Sequence, residues 1–272
     1  MTGRAPGWTA APADLRLREG ELHVWRVSLS VAEATIRLFR AMLSADEQDR
    51  AGRFFFERDR SAFVVTRGVL RTLLGRYLGC PPDGLRFRHG PEGKPALTEP
   101  SGGDVLGFNV SHSHGMALLA MARGREVGVD VEKIRPGLAS EDIAARFFAP
   151  REVAMLGAVP VPLRVGAFFT CWTRKEAYIK ATGKGLSLPL DGFVVSLAPG
   201  EPAAILETRP DAAEASRWHL TALAPGAGYV GAVAVAGEQP EIRSWDWAIA
   251  SCEVGPWVQA MPRSRPLGSE LS

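Results

Sequence analysis

The chain has 272 residues, of which 46% are hydrophobic and 23% charged, and a formal net charge of only +2. This is a globular composition with no bulk electrostatic case for nucleic acid, and its longest apolar runs, Gly115 to Ala122 and Tyr229 to Gly237, are far shorter than the roughly 18–20 residues that cross a bilayer. The N-terminus has no apolar signal-peptide core, and Cys80, Cys171 and Cys252 are too few and too scattered for a disulfide framework or a zinc site. The sequence therefore reads as a cytoplasmic protein without a nucleic-acid or membrane partner.

In chain order, residues 1–14 are rich in Pro, Gly and Ala and are expected to form a flexible tail. Glu21 to Val27 alternates apolar and polar residues as a half-buried strand does. Phe63 to Leu78 is expected to be a helix that stops at Gly79. The turn from Gly90 to Pro95 puts Lys94 on a tight loop suited to a phosphate, although Pro95 stands where a P-loop would continue into a helix. Phe108 to Ala122 reads as strand, turn, strand. A strand at Glu126 to Glu132, a helix at Val165 to Ala181 ending at Gly183, and a second strand, turn, strand at His219 to Ala236 follow, before a second expected tail at 256–272.

The order of elements repeats: the two alternating strands lie 105 residues apart and the glycines that end the two helices lie 104 apart. The expected fold class is α+β, with two pseudo-symmetric subdomains at 15–123 and 124–255. Each lays an amphipathic helix on an antiparallel sheet, with a ligand cleft between them. Phe55-Phe56 and Phe147-Phe148 read as equivalent pairs packed in the two cores, although they are only 92 residues apart.

Three segments carry chemistry. In Gly128-Val-Asp-Val-Glu132 the alternation puts Asp130 and Glu132 on one strand face, about 6–7 Å apart. Such a pair can hold Mg²⁺, or can be the solvated face of an edge strand. On the second helix Trp172, Glu176 and Lys180 form one stripe by successive i,i+4 steps. Glu176 and Lys180 can be a simple helix-stabilising pair, yet the stripe continues from Val165, Phe168 and Phe169, and a buried Glu and Lys need partners. In Phe108-Asn-Val-Ser-His-Ser113 short donors crowd a turn, which suits an anion.

Together and in this order, Gly93-Lys-Pro95, Phe108-Asn-Val-Ser-His-Ser113, Val127-Gly-Val-Asp-Val-Glu132 and Trp172-Thr-Arg-Lys-Glu-Ala-Tyr-Ile-Lys180 resemble the 4′-phosphopantetheinyl transferases of the surfactin-synthetase-activating type. The resemblance implies Mg²⁺-dependent (or Mn²⁺-dependent) transfer of phosphopantetheine from coenzyme A to a serine of an acyl or peptidyl carrier protein, with release of adenosine 3′,5′-bisphosphate. It also implies a monomer with coenzyme A lying in the cleft. By position it makes Asp130, Glu132 and Glu176 metal ligands, Glu176 the candidate base, and Lys180 a contact to the phosphates. Lys94, Ser111 and His112 would hold the adenosine-phosphate end, with Pro95 and Asn109 of the same motifs beside them, and Arg50 would lie near the 3′-phosphate. A metal-dependent phosphohydrolase and a catalytically silent coenzyme A binding module are the rival readings; none of the three acids is missing, which weighs against the second. Between Lys133 and Arg164, Leu138 and Ile143 with Arg135, Arg146, Arg151 and Arg164 read either as a core helix with solvated arginines or as a docking surface for an acidic carrier.

Overall fold

The structure is a computed structural model that describes residues 7–90, 92–98, 106–138 and 141–248. The first half of the chain forms β1 (Thr9–Ala10), β2 (Glu21–Ser28), α1 (Glu33–Met42), α2 (Ala45–Gly52), α3 (Glu57–Leu78), β3 (Phe87–His89), β4 (Pro95–Leu97), β5 (Leu106–Ser113) and β6 (Met116–Arg123). The second forms β7 (Val127–Lys133), α4 (Glu141–Phe147), α5 (Pro150–Ala158), α6 (Val161–Thr182), β8 (Phe193–Val195), β9 (Ile205–Thr208), β10 (Trp218–Leu223), β11 (Tyr229–Ala236) and β12 (Glu241–Trp247). Each half runs strand, three helices, a small two-stranded sheet and a hairpin, and the strand orders β2-β6-β5 and β7-β11-β10 correspond.

The long helices match most closely. Both α3 and α6 have 22 residues, and each ends on a left-handed glycine, Gly79 at φ 67° and Gly183 at φ 66°, where a residue without Cβ caps the last turn at no steric cost. Apolar side chains alternate between clusters. Trp25, Val27, Leu119 and Met121 pack with α3, whereas Val24, Leu118 and Ala120 pack on Val129, Val131, Val233 and Val235 of the other sheet. Ala232 and Ala234 then pack with α6. The result is four layers, helix, sheet, sheet, helix. Both faces of each sheet are covered, which is why β6 and β11 read as nearly continuous apolar runs.

The sheets are not wholly antiparallel. β12 pairs in parallel with β2, Glu241 opposite Glu21, and β1 pairs in parallel with β12. The first sheet is therefore β1-β12-β2-β6-β5. The last described strand returns to the first half, so residues 124–248 do not pack as one separate body, and Thr9–Ala10 belong to a sheet although they fall in the expected tail. Residues 249–272, with Cys252, Trp257 and the second expected tail, lie outside the described residues.

The two phenylalanine pairs are not equivalent. Phe55 and Phe56 lie between α2 and α3 and are 89% and 54% exposed, whereas Phe147 and Phe148 lie at the end of α4 and Phe148 is 3% exposed. The correct correspondence pairs α2 with α5. The core position expected for Phe55-Phe56 was wrong because sequence similarity of two dipeptides says nothing about which turn carries them.

One close approach sets the depth of the second half. A Cβ on Gly128 of β7 would lie 2.2 Å from the Ala177 carbonyl oxygen and the Ala181 nitrogen of α6. The matching positions of the first half are His23 and Tyr77, whose side chains hydrogen-bond at 2.8 Å between the layers. Burial holds the His23 imidazole down at about 4. Because backbone cannot yield as a flexible side chain can, Gly128→Ala is expected to cost about 1–3 kcal/mol. Thermal unfolding should register this as a lower Tm, further below the wild type than that of Gly84→Ala, a position where an added Cβ meets nothing within 4 Å.

Candidate active site between two sheet edges

β5 and β7 are the edge strands of their sheets, and side chains join them. The Asn109 Oδ1 accepts the Val129 N–H at 2.9 Å. Ser111 donates its hydroxyl to Asp130 Oδ1 at 2.7 Å. Ser113 donates to Glu132 Oε2 at 2.7 Å and accepts the Lys133 N–H at 3.2 Å. Alternate residues of β5 thus meet successive positions of β7, as the period of two requires. From α6, Lys180 Nζ donates to Asp130 Oδ1 at 2.6 Å and to Ser111 Oγ at 3.1 Å. Glu176 lies one turn before Lys180 on the wall of the same cavity. Burial raises the Glu176 carboxyl above its usual range, Asp130 and Glu132 push it further up, and Lys180 opposes them.

Of the sequence-derived residues, Ser111, Asp130 and Glu132 belong to the seam between β5 and β7 and the rest line two adjoining cavities. One of about 600 Å³ is lined by Lys94, Asn109, Glu176 and Lys180, together with Arg146, Phe147 and the Leu188–Asp191 turn. The other, of about 170 Å³, is lined by Arg50, Pro95 and His112 together with Thr66, Arg67 and His89. Gly93 and Val110 border both. Burial, and then the Lys180 charge, lowers the His112 pKa.

Lys94 does more than face the cavity. Its ammonium donates to the Val127 carbonyl at 3.1 Å and the Ala181 carbonyl at 3.0 Å, which leaves one N–H for a ligand. It staples the turn of the first half to β7 and to the last turn of α6.

Arg67 escaped the sequence reading. It is 7% exposed, ion-paired with Glu47 at 2.9 Å, and it borders the smaller cavity with Arg50 and His112. Its signal was present: Arg67 and Arg71, four residues apart, interrupt an otherwise apolar helix face, and a buried arginine demands an acid.

The acids suit a hard cation. Asp130 is 3% exposed and its Oδ2 is buried without a hydrogen-bond partner, while Asp130 and Glu132 are close enough to Glu176 to raise its carboxyl. Among the described residues no three acid, His or Cys side chains make a metal cage by themselves. Mg²⁺ does not need one, since it typically takes one or two carboxylates and completes its shell with water and substrate phosphate.

The fold and site thus define a duplicated α+β protein with an acid- and lysine-lined cleft. Two family models match it in succession: 4′-phosphopantetheinyl transferase, N-terminal, over residues 28–123, and the 4′-phosphopantetheinyl transferase superfamily over residues 126–234. The chain is 40% identical over 240 residues to the 4′-phosphopantetheinyl transferase HetI of Nostoc, covering 88% of this chain and 98% of that one. It is 33% identical over 159 residues to the 4′-phosphopantetheinyl transferase Sfp of Bacillus subtilis, covering 58% and 68%. The chain belongs to the 4′-phosphopantetheinyl transferase family and is an enzyme of that class.

Lys94→Met would leave the Val127 and Ala181 carbonyls without their shared donor. Each such loss costs about 1–3 kcal/mol, so the Tm of the ligand-free protein should fall. A residue that served only to bind phosphate would leave that Tm unchanged.

Proposed function

We propose that the enzyme moves 4′-phosphopantetheine from coenzyme A to a serine of an apo acyl or peptidyl carrier protein and releases adenosine 3′,5′-bisphosphate. The observation that carries this reading is the cluster of Lys180, Ser111 and Asp130, with an unpartnered buried oxygen on Asp130 and Glu176 beside it, next to a second cavity walled by cations. One cavity then suits the pyrophosphate and pantetheine arm, and the other the 3′-phosphate.

Asp130, Glu132 and Glu176 would hold Mg²⁺, or Mn²⁺ in its place, which when bound would neutralise charge on the pyrophosphate. Lys180 contributes a second positive charge at the same phosphates. Arg50 and His112, with Arg67 behind them, bind the 3′-phosphate through charge-assisted hydrogen bonds. Glu176, whose carboxyl is held above the usual range, accepts the proton of the carrier serine as its oxygen forms the new P–O bond and the bond to the bisphosphate leaving group breaks. Both halves wall the cleft, so one chain supplies a whole site and acts as a monomer. Its free cysteines, Cys80 and Cys171, fit the reducing cytoplasm. The carrier would approach over the β7–α5 connection, where Leu138 is 42% exposed and Arg146 reaches the larger cavity.

The decisive measurement is the mass of an apo carrier after incubation with enzyme, coenzyme A and Mg²⁺. A gain of one phosphopantetheine is expected, whereas phosphopantetheine released to water would mean a hydrolase. Asp130→Ala removes an anion from the reacting centre and should lower turnover by about 10²-fold or more at saturating coenzyme A; wild-type turnover would overturn the metal assignment.

His112 gives a pH signature. A bound phosphate raises the imidazole pKa from its lowered free value, so the added affinity is full below the free pKa and is lost as pH rises through the bound one. The preference for coenzyme A over dephospho-coenzyme A, read as a ratio of kcat/KM values, should be larger at pH 6.5 than at pH 8.5. In His112→Ala that ratio should be smaller and flat with pH.

A further inference from the structure

Lys175 precedes Glu176 in the chain, yet it points away from the cavity into the protein. It is fully buried and ion-paired at 2.7 Å with Glu152, which is equally buried. Its Nζ also donates to the Leu190 and Phe193 carbonyls, each at 2.6 Å, and sits 4.1 Å from the centre of the Phe193 ring. Glu152 accepts the N–H groups of Ala149, at the start of its own helix, and of Val195. All three ammonium protons are therefore used within the fold, and the strand and turn they hold carry Leu188, Pro189, Leu190 and Asp191 of the cavity wall.

The first half contains the same device. Arg71, 104 positions before Lys175, is fully buried, pairs with Glu47 at 2.7 Å and donates to the Pro82 and Leu85 carbonyls under the ring of Phe87. Glu47 likewise accepts the N–H at the start of its helix, from Ser44. A buried ion pair is costly unless its protons and lone pairs are matched; Lys175 has a partner for each of its three, whereas the Arg71 Nη2 of the first half is buried without a hydrogen-bond partner.

We infer that the Glu152–Lys175 pair is a positioning strut: Lys175 acts on the transfer reaction by holding the 188–191 wall against α6 at the height of Glu176, and it does not touch substrate. This rests on the reading of the larger cavity as the coenzyme A site. The 188–191 turn and Glu176 line the same cavity, so loosening the turn weakens the hold on coenzyme A more than it alters the reacting groups.

The test compares Lys175→Arg, Lys175→Met and the double variant Lys175→Met with Glu152→Gln, measuring Tm, the KM and kcat for coenzyme A, and the rise in Tm on adding coenzyme A. Lys175→Arg should keep a KM near wild type, because Arg71 makes these contacts in the first half. Lys175→Met should lower Tm and raise KM for coenzyme A about tenfold, the equivalent of roughly 1.4 kcal/mol, with a smaller change in kcat. The double variant removes the unpaired buried charge, so Tm should recover, while KM stays high because the Leu190 and Phe193 carbonyls still lack their donor. A KM that returns to wild type along with Tm would reduce the strut to a stabilising pair. Lys175→Arg with normal Tm but a KM as high as Lys175→Met would instead make Lys175 a substrate contact. If the methionine variants do not fold, Pro189→Gly loosens the same wall without touching the strut, and an unchanged KM there would overturn the inference. The coenzyme A-induced rise in Tm needs no turnover, so its absence in the wild type would count against the assigned cavity and not against the strut.

Discussion

The site depends on one seam, where the edge of one sheet meets the edge of the other without a backbone ladder. An open strand edge leaves N–H groups to be satisfied, and here Asn109 and Ser113 satisfy those of Val129 and Lys133. The same register brings Ser111 to Asp130 and Ser113 to Glu132. Structural hydrogen bonding and acid placement are therefore one arrangement: the side chains that hold the two halves together also aim the carboxylates. Gly128 completes it, since only a residue without Cβ lets α6 come close enough to β7 for Lys180 to reach Asp130.

Duplication supplies two sets of equivalent positions, yet only one became a site. Where the second half has Asp130, Glu132, Glu176 and Lys180, the first has Trp25, Val27, Thr72 and Arg76. Trp25 donates to Tyr77 at 3.0 Å and packs on Trp245 of the returning strand β12, 5.1 Å between ring centres. The first copy is filled with aromatic rings and serves as core. The first half also supplies Arg50, Arg67 and His112, which gather on the smaller cavity.

Charge is organised by burial more than by amount. A net charge of +2 predicts no preference for phosphate, but Lys94, Lys180, Arg67 and His112 all open on the cleft, and charges inside low-dielectric walls act more strongly than on the surface. Carboxylates answer most of the cations drawn into the protein: Glu47 for Arg67 and Arg71, Glu152 for Lys175, Asp130 for the half-buried Lys180, whereas Arg174 rests on the Ser196 hydroxyl and on carbonyls.

The amino-acid sequence by itself determined what is local or periodic. The strand alternation of Glu21–Val27 and Glu126–Glu132, the twin helices ending on Gly79 and Gly183, and the duplicated α+β order were legible because side-chain direction repeats every two or 3.6 residues. The motifs that carry the family resemblance were legible as well, each being a short run of sequence. The tertiary structure alone decided which elements lie next to each other. It returned β12 to the first sheet in parallel with β2, left Phe55 exposed while Phe148 is buried, engaged Lys94 with carbonyls of the other half, and brought Arg67 to the cavity wall through Glu47. None of these follows from periodicity, because each is set by a partner dozens or hundreds of residues away whose proximity depends on how the layers pack.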